Sequence, residues 1–430
     1  MRNLPINNQL FIDNRAKFVA QMKPNAIAIF VSNDVFPKNA DQFHLFRQNS
    51  ELYYLTGIAQ EETVLVLYPD CPIESRREVL FTRQTNEHIA IWEGHKYTKK
   101  EAAQISGINT VLWNDEFENA FRPLMNYANI CYLNLNDNDR SNLVIQNKEH
   151  RFANQLTQNY PLHQYERASN ILKTIRSKKH PIEVQLMQTA CNITNQAFQK
   201  TLKIIKPNLM EYEIEAAFAQ HFIANRSEGF AYNPIIASGK NACILHYIEN
   251  NQSCLDGDLI LMDVGADYAY YAADMTRCVP VNGKFTDRQR TIYNAVLKVM
   301  QQAIKELLHV GKSLNEYNQQ SGIMMEEALI EIGLLNYQDV KKQDPNNPLY
   351  KRYFMHGTGH FLGIDVHDIG YRYGKFEAGM VITCEPGIYI AEENIGIRLE
   401  NNILITENGN FDLMADIPIQ AEHIEDLMNA

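Results

Sequence analysis

The chain has 430 residues, of which 45% are hydrophobic and 21% are charged, and its formal net charge is −11. That length predicts two domains, because domains usually contain about 100–200 residues, and the composition is that of a globular protein with a large core. Basic residues form only short pieces such as Lys178-Lys179. The charge therefore argues against nucleic acid and anionic membranes as partners.

The cysteines and the apolar runs indicate in which cellular compartment the protein is expected. Seven cysteines are scattered along the chain with no CxxC pair, which favours a reducing cytoplasm over a disulfide framework or a zinc–thiolate site. No stretch approaches the roughly 18 apolar residues of a membrane span, and the N-terminal residues lack the apolar core of a signal peptide. The sequence predicts a cytoplasmic protein without a membrane span.

The first part of the chain alternates short β-rich runs with helical patterns. Apolar runs bounded by polar clusters predict strands at residues 26–31, 63–68, 77–81 and 130–135. The stretch 136–160 is polar, and a helical pattern begins near Tyr165 and leads into the charged connector RSKKHP. These features predict an N-terminal domain of residues 1–172 and a C-terminal domain of residues 173–430.

The C-terminal part contains one order of elements twice. Pro181, which suits the first turn of a helix, opens a long helical pattern. The other predicted elements are a helix at 210–226 and strands at 258–265 and 269–281, then helices at 286–309 and 313–334 and strands at 380–386 and 396–406. Two such halves predict a pseudo-symmetric α+β domain with a site between its two hairpins.

Two aspartates interrupt the apolar strands of the first half. Asp263 lies in LILMDVG and Asp274 in AADMTRC, although aspartate is a poor strand residue and is rarely buried without a partner. Ten residues separate the two, so a tight antiparallel hairpin is expected to place them directly opposite each other on one face. Because two carboxylates there repel, a cation is expected between them.

The second half repeats this pattern with glutamates. Glu385 ends MVITCE and Glu400 lies in GIRLENN, with fourteen residues between them. Arg398 is two residues before Glu400, so both project from one face of a strand. For one such carboxylate a structural role is an equal alternative. Four of them, mirrored between two hairpins, favour a pair of divalent cations such as Mn²⁺, Co²⁺ or Zn²⁺.

Three histidines follow one another closely in FMHGTGHFLGIDVHD. His356 and His360 are four residues apart, as in helical HExxH zinc sites, but the intervening glycines disfavour a helix. The spacing alone leaves open which histidine binds a metal. For His356, for His367 and for His246 in ILHY, an ordinary core or surface histidine is the alternative.

Taken together, these motifs resemble those of the pita-bread metallopeptidases, and most closely aminopeptidase P, the Xaa-Pro aminopeptidases. FRQNSELYYLTG, at 46–57, is similar to the matching stretch of that family's first domain, so the resemblance covers nearly the whole chain. It implies an N-terminal creatinase-like α/β domain and a C-terminal pseudo-symmetric pita-bread catalytic domain. The implied cofactor is two divalent ions, Mn²⁺ first, with Co²⁺ or Zn²⁺ as alternatives.

The resemblance also implies a role for each metal ligand. Asp263 binds one ion, His360 and Glu385 mainly bind the other, and Asp274 and Glu400 bridge the two. Glu385 is also implied to carry a proton from the attacking water toward the leaving proline nitrogen. In this family the glycines around His360 mark places where the backbone passes close to metal or substrate.

Further residues are implied at the substrate site. His246, His356 and His367 bind the peptide or steady the oxyanion, and Arg398 fixes carboxylate or substrate geometry. Trp92, in IWEGHKYT, resembles a tryptophan that reaches the substrate site of a neighbouring subunit, which implies a homo-oligomer, a dimer or a tetramer. The alternative for Trp92 is a core aromatic residue.

The implied activity is removal of the N-terminal residue from peptides whose second residue is proline. The nearest alternative is prolidase, which cleaves only Xaa-Pro dipeptides. Creatinase lacks the metal ligands, and methionine aminopeptidase lacks the first domain. A non-catalytic pita-bread module that binds peptides is the alternative of another class. The sequence contains no GxSxG, SxxK, HExxH or GxxxxGK[ST] motif for other chemistry.

Overall fold

The computed structural model describes residues 2–135, 137–138, 140 and 144–430. The chain divides into two compact units, Leu4–Arg176 and Ser177–Ala430, and the N-terminal Arg2 and Asn3 belong to the second unit. The helix at Ser169–Ser177 runs across the expected boundary at 172/173, and that boundary stays a prediction.

The N-terminal domain contains one six-stranded sheet and a small hairpin. Its strands are β1 Ala26–Val31, β2 Pro37–Asn39, β3 Gln42–Phe43, β4 Val64–Leu67, β5 Glu78–Thr82, β6 Thr110–Trp113, β7 Ile130–Leu133 and β8 Gln164–Arg167. Its α-helices are α1 Gln9–Val19, α2 Ser50–Thr56, α3 Glu87–Glu93, α4 Lys99–Ser106, α5 Phe117–Tyr127, α6 Lys148–Asn159 and α7 Ser169–Ser177, and 3₁₀ turns lie at Glu74–Arg76 and Asn114–Glu116.

The sheet has the order β6-β5-β4-β1-β7-β8, so β1 lies in its interior. β1 pairs antiparallel with β4 and parallel with β7, and all six of its residues are buried. A strand covered on both faces reads as a continuous apolar run, as AIAIFV does. One face packs against Phe121, Leu124 and Met125 of α5.

The four strands predicted for this domain are confirmed as β1, β4, β5 and β7. The helical pattern predicted to begin near Tyr165 is wrong there, because residues 164–167 form β8, which pairs in parallel with β7, and α7 begins only at Ser169. The polar stretch 136–160 also contains α6, which the sequence analysis missed. Residues 136, 139 and 141–143 of that stretch lie outside the described part of the chain.

The motif FRQNSELYYLTG supplies a buried polar network inside this domain. Asn49 caps α2 by accepting a hydrogen bond from the Leu52 N–H at 3.0 Å, and its amide donates to Glu149 Oε1 at 3.0 Å. Glu149 is buried, and burial, with the nearby charge of Glu51, raises its pKa well above the usual range. Glu51 in turn pairs with the buried Arg176 at 2.6 Å.

We predict that Asn49→Ala destabilises the protein by about 2–4 kcal/mol, because a helix cap and a donor to a buried carboxylate are lost together. Asn86→Ala is the matched control, since Asn86 caps the exposed helix α3 by accepting from the Ile89 N–H. Its expected cost is about 1 kcal/mol. Urea unfolding measures the loss of unfolding free energy in both variants. Equal losses would contradict an extra cost from leaving Glu149 without the Asn49 donor.

The C-terminal domain is built from short sheets and long helices. Its strands are β9 Gly229–Phe230, β10 Ile235–Ser238, β11 Leu259–Val264, β12 Ala266–Tyr268, β13 Tyr271–Ala272, β14 Met275–Pro280, β15 Val381–Cys384, β16 Gly387–Ile390, β17 Ile395–Arg398, β18 Asn401–Thr406 and β19 Gly409–Asp412. Its α-helices are α8 Pro181–Leu202, α9 Glu211–Ala224, α10 Asp287–Leu307, α11 Leu314–Glu331, α12 Tyr337–Val340 and α13 Ala421–Met428, and 3₁₀ turns lie at Gly239–Cys243, Leu349–Arg352 and Ala391–Glu393.

The predicted double order of elements is confirmed in this domain. The helix pair α8 and α9 precedes the β11–β14 region, and the pair α10 and α11 precedes the β15–β18 region. Pro181 occupies the first turn of α8, and the His180 side chain caps the helix by accepting from the Ile182 N–H. The sequence therefore determines the two halves locally.

Two strands that were predicted as continuous are interrupted at an acidic residue. The predicted strand 269–281 divides into β13 and β14 around Asp274, whose N–H donates to the side-chain oxygen of Asn402 at 3.0 Å. The predicted strand 396–406 divides into β17 and β18 around Glu400, whose N–H donates to the Thr276 carbonyl at 3.1 Å. At each interruption, the backbone N–H of the acidic residue donates to the opposite half of the domain instead of to the neighbouring strand.

The register corrects one expectation and agrees with another. Asp263 pairs with Thr276 rather than with Asp274, so the two aspartates are offset by two residues. An offset of two leaves both on one face of the hairpin. In the second half Cys384 pairs with Asn401, and the next position of that register places Glu385 opposite Glu400.

In the part of the chain that the structure describes, no helix is both long enough and apolar enough to cross a membrane.

Candidate metal centre

Three of the five predicted ligands form a tight buried cluster. One ligand atom from each of Asp274, His360 and Glu400 lies within 4.8 Å of the others. His360 follows the glycine-rich stretch, while the two carboxylates stand at the two strand interruptions. The backbone bonds that break the ladders therefore also bring the two halves' carboxylates together.

His360 is oriented as a metal ligand would be. Its Nδ1 lies 2.9 Å from the Phe361 carbonyl oxygen, so Nδ1 carries the proton and donates it there. Nε2 then faces the carboxylates, 3.3 Å from Asp274 Oδ2 and 3.6 Å from Glu385 Oε1. A backbone carbonyl that fixes the tautomer in this way is a usual partner of a metal-binding histidine.

Asp263 lies beside this cluster and is held by two partners. Arg398 Nη2 donates to Asp263 Oδ2 at 2.5 Å. The Tyr232 hydroxyl lies 2.7 Å from Asp263 Oδ1 and 2.7 Å from Asp274 Oδ1. Despite the arginine, burial and the charge of Asp274 raise the pKa of Asp263.

Glu400 provides the direct test of whether a cation fits. Its Oε2 accepts from the Thr276 hydroxyl at 2.7 Å. Its Oε1 is buried and has no hydrogen-bond partner among the described residues. A buried carboxylate oxygen left in this way is costly unless a positive charge meets it, and the carboxylate-rich set with one imidazole suits a hard or borderline divalent ion.

The electrostatics of the cluster lead to the same conclusion. Burial, with Asp274 and Asp263 adding to it, raises the pKa of Glu385 to about 7 even though His360 and Arg398 oppose the shift. Burial and the neighbouring carboxylates raise the pKa of Glu400 well above its usual range. Concentrated negative charge in an apolar interior is relieved by bound cations.

His356 is held by protein groups rather than by the cluster. Its Nε2 lies 2.8 Å from the Tyr389 hydroxyl and its Nδ1 lies 2.8 Å from the Gly357 carbonyl oxygen. Burial and the Arg398 charge lower the pKa of His356 to about 4, so the ring is neutral near pH 7. It borders the site, because Nδ1 is 3.9 Å from Glu385 Oε2.

The other two predicted histidines are exposed beside the centre. The ring centroid of His367 lies 4.5 Å from that of His360, with the rings nearly perpendicular. His246 lies close enough to His356 for its charge to contribute to the lowered His356 pKa. Their roles in binding substrate stay predictions.

Two glycines of this segment lie against other atoms of the protein, while the expected close approach to metal or substrate stays a prediction. A Cβ at Gly359 would lie 2.1 Å from the Thr383 carbonyl oxygen, and one at Gly363 would lie 2.1 Å from Asp368 Oδ2. The close approaches are to the protein's own atoms, so these glycines seat the histidine segment against β15 and against a buried ion pair.

That ion pair joins the histidine segment to the start of the domain. Lys179 Nζ lies 2.9 Å from Asp368 Oδ2, and the two side chains are 1% and 2% exposed. Asp368 directly follows His367, and Lys179 precedes α8 by two residues. The Lys179 N–H also donates to the Gly379 carbonyl.

Trp92 belongs to the N-terminal domain and is not a core residue. Its side chain is 77% exposed on α3, and the neighbouring Ile91 is 79% exposed. The core-aromatic alternative is therefore wrong.

Sequence reasoning missed three side chains that organise the centre, namely Tyr232, Thr276 and Tyr389. Thr276 accepts from Arg398 Nε at 3.2 Å and donates to Glu400, and Tyr389 accepts from Arg398 Nη1 at 2.9 Å. Thr276 lies two residues after Asp274, so strand alternation could have indicated it. Arg398 donates to Asp263 directly, and Thr276 links Arg398 to Glu400 by hydrogen bonds.

The chain is similar to known metallopeptidases along its whole length. The chain matches metallopeptidase family M24 over residues 185–407 and the N-terminal domain of aminopeptidase P over residues 11–132. The Xaa-Pro aminopeptidase of Haemophilus influenzae is 35% identical, over 100% of this chain and 99% of its own length. The Xaa-Pro aminopeptidase of Escherichia coli is 33% identical, over 99% and 98%.

Solved structures show the same similarity. The aminopeptidase PepP of Pseudomonas aeruginosa superposes with a TM-score of 0.90 at 30% identity, over 100% of this chain and 99% of that one. Escherichia coli aminopeptidase P with the inhibitor Pro-Leu gives 0.86 at 31% identity, over 99% of each chain.

The fold and the site thus define a metallopeptidase. The chain belongs to metallopeptidase family M24, and the predicted two-domain architecture, an N-terminal aminopeptidase P domain followed by the M24 domain, is confirmed.

We predict that Lys179→Met destabilises the protein by about 3–5 kcal/mol, because it removes the Lys179 ammonium from its buried ion pair with the Asp368 carboxylate. Lys298→Met is the matched control, since Lys298 pairs with Glu331 at 2.7 Å but both side chains are more than half exposed. Its expected cost is below about 1 kcal/mol. Urea unfolding distinguishes the two variants. A small loss of unfolding free energy for Lys179→Met would contradict a stabilising role of the buried Lys179–Asp368 ion pair.

Proposed function

We propose that this protein is an Xaa-Pro aminopeptidase that uses two divalent metal ions to remove the N-terminal residue from peptides with proline in second position. The observation that carries the proposal is the convergence of Asp274, His360 and Glu400 within 4.8 Å, with Asp263 and Glu385 alongside. The names of the relatives above support the substrate class. The intact ligand set argues against a non-catalytic peptide-binding module.

In this proposal the five ligands divide as their positions allow. Asp263 would hold one ion, His360 and Glu385 would mainly hold the other, and Asp274 and Glu400 would serve both. Four carboxylates and one imidazole without a thiolate favour Mn²⁺, with Co²⁺ or Zn²⁺ as alternatives. When bound, such ions acidify a water and polarise the scissile carbonyl.

The chain's own residues supply binding and proton transfer. Glu385, whose Oε2 lies 3.9 Å from His356, takes the proton of the attacking water and passes it to the leaving proline nitrogen. His356 is neutral, so it borders the site without adding charge near the ions. Arg398 keeps the Asp263 carboxylate in place through Nη2.

Recognition of the substrate falls on the histidines that border the centre. An Xaa-Pro bond has no N–H, so an enzyme must recognise its carbonyl oxygen and its ring rather than a donor at that nitrogen. We assign His246, His356 and His367 to the substrate carbonyl and to the oxyanion that forms from it. Preference for proline itself is supported by the relatives and not by a contact within this chain.

We further propose a homo-oligomer, a dimer or a tetramer, in which Trp92 reaches the substrate site of a neighbouring subunit. Adjacent exposed apolar side chains at Ile91 and Trp92 support an interface at this helix. A cytoplasmic location is supported by the seven cysteines, none of which is paired in a disulfide.

We predict that the metal-stripped protein regains activity with Mn²⁺ and cleaves the tripeptide Xaa-Pro-Xaa but not Xaa-Ala-Xaa. The dipeptide Xaa-Pro is expected to be a poor substrate. Cleavage of the dipeptide alone would make the protein a prolidase, and binding of metal without any cleavage would support the non-catalytic alternative.

Two variants are compared in this assay: one replaces a carboxylate of the metal centre, and the other replaces a buried carboxylate outside it. Glu400→Gln is expected to lower metal affinity by more than the roughly 10–100-fold that loss of an outer partner causes, and to abolish turnover. Glu183→Gln is the control, because Glu183 is equally buried in this domain but accepts from Tyr271 instead. Full activity of Glu400→Gln would contradict the proposed ligand set.

Trp92→Ala is predicted to weaken self-association by roughly thirty-fold, since a tryptophan at an interface commonly contributes about 2 kcal/mol, and to lower kcat/KM. Tyr127→Ala is the control, because Tyr127 is 66% exposed elsewhere on the same domain. Sedimentation velocity with parallel assays measures both effects. A wild-type protein that stays monomeric, or an unchanged Trp92→Ala variant, would rule out this interface.

A further inference from the structure

The segment that carries His246 is irregular, yet it must present a histidine at a fixed place. It begins with the 3₁₀ turn Gly239–Cys243 that follows β10, and it continues without helix or strand to residue 252. His246 itself is exposed. The position of His246 therefore depends on buried groups that bind the rest of the segment.

Glu211, the first residue of α9, provides that support. Its side chain is completely buried. Oε1 accepts from the Ser238 N–H at 2.8 Å and from the Asn241 amide at 3.1 Å, so it holds the start of the segment. Oε2 accepts from the Tyr247 hydroxyl at 2.7 Å and from the Gln252 N–H at 2.9 Å, so it holds the middle and the end.

Four donors use the full accepting capacity of a carboxylate, which has two oxygens with two lone pairs each. All four donors are neutral groups from the segment or from its immediate start. A glutamine at position 211 would turn one oxygen into a donor that faces two other donors. The hydrogen bonds at position 211 therefore require a carboxylate. All of them go to one segment, which distinguishes Glu211 from a residue that merely fills the core.

The segment is fixed from its other side by the strand that carries Arg398. A Cβ at Gly396 in β17 would lie 2.1 Å from the Ala242 carbonyl oxygen, so backbone meets backbone there. Arg398 ends the same strand and contacts Asp263. The start of the segment is thus located relative to the metal centre, and the Tyr247 hydroxyl locates the residue that follows His246.

We propose that Glu211 is a positioning residue that acts through Tyr247 to hold His246 at the substrate. The inference rests on the proposed function, in which His246 binds the substrate carbonyl. A role in stability alone would leave the contribution of His246 to turnover unchanged when the Tyr247 hydroxyl is removed.

A double-mutant cycle on the Mn²⁺-loaded protein tests this role. Tyr247→Phe removes one hydroxyl and is expected to lower kcat/KM about tenfold, the order of effect of losing one hydrogen bond. In a His246→Ala background the same change is expected to lower kcat/KM less than twofold, because the residue that it positions is already gone. Metal content is expected to stay constant throughout.

Tyr293→Phe is the matched control, since the Tyr293 hydroxyl is also buried in this domain but donates to the Ile419 carbonyl at 2.7 Å. Its effect is expected to be equal in both backgrounds. Glu211→Gln should repeat the pattern of Tyr247→Phe with a larger loss. Equal losses for Tyr247→Phe with and without His246 would overturn the proposal, whereas an inactive wild-type protein would instead refute the proposed function.

A second measurement does not depend on turnover. In protein with labelled histidine rings, the NMR signal of His246 is identified by its absence from His246→Ala. Tyr247→Phe is expected to shift or broaden that signal, and Tyr293→Phe to leave it unchanged. An unmoved His246 signal in Tyr247→Phe would overturn the proposal even if His246→Ala had too little activity for the kinetic cycle.

Discussion

The C-terminal domain depends on the burial of like charges that only a cation can make favourable. Asp263, Asp274 and Glu400 are buried together with Glu385 at their partly exposed edge, and the Oε1 atom of Glu400 has no hydrogen-bond partner among the described residues. Repulsion and desolvation raise the pKa values of Glu385 and Glu400. Bound divalent ions would remove both penalties. The cluster of buried carboxylates, which is unfavourable without metal, therefore favours metal binding.

The two halves of the domain create this cluster by interrupting their own sheets. Asn402 from the second half bonds the backbone of Asp274 on both sides, through its oxygen to the N–H and through its amide to the carbonyl. In return the Glu400 N–H bonds the Thr276 carbonyl of the first half. The exchanged bonds satisfy the Asp274 N–H and carbonyl and the Glu400 N–H while they bring one acidic residue from each half to the centre.

The sequence predicted the order of elements and the acidic pattern because both are local. Helical periodicity, apolar runs and the parity of residue spacing can be read within short windows. The interruptions at Asp274 and Glu400 could not be read in this way, since they depend on partners more than a hundred residues away. Tyr232 gave no periodic signal, and the residues around Tyr165 became a strand because β7 offered a free edge.

The central claim is that the acidic cluster and His360 hold two ions. An anomalous difference map from crystals grown with Mn²⁺ measures this most directly. We expect two peaks about 3.5–4 Å apart, with Asp274 and Glu400 contacting both, and Asp263 and His360 contacting one each. A single peak, or peaks that do not contact Glu400, would contradict the account.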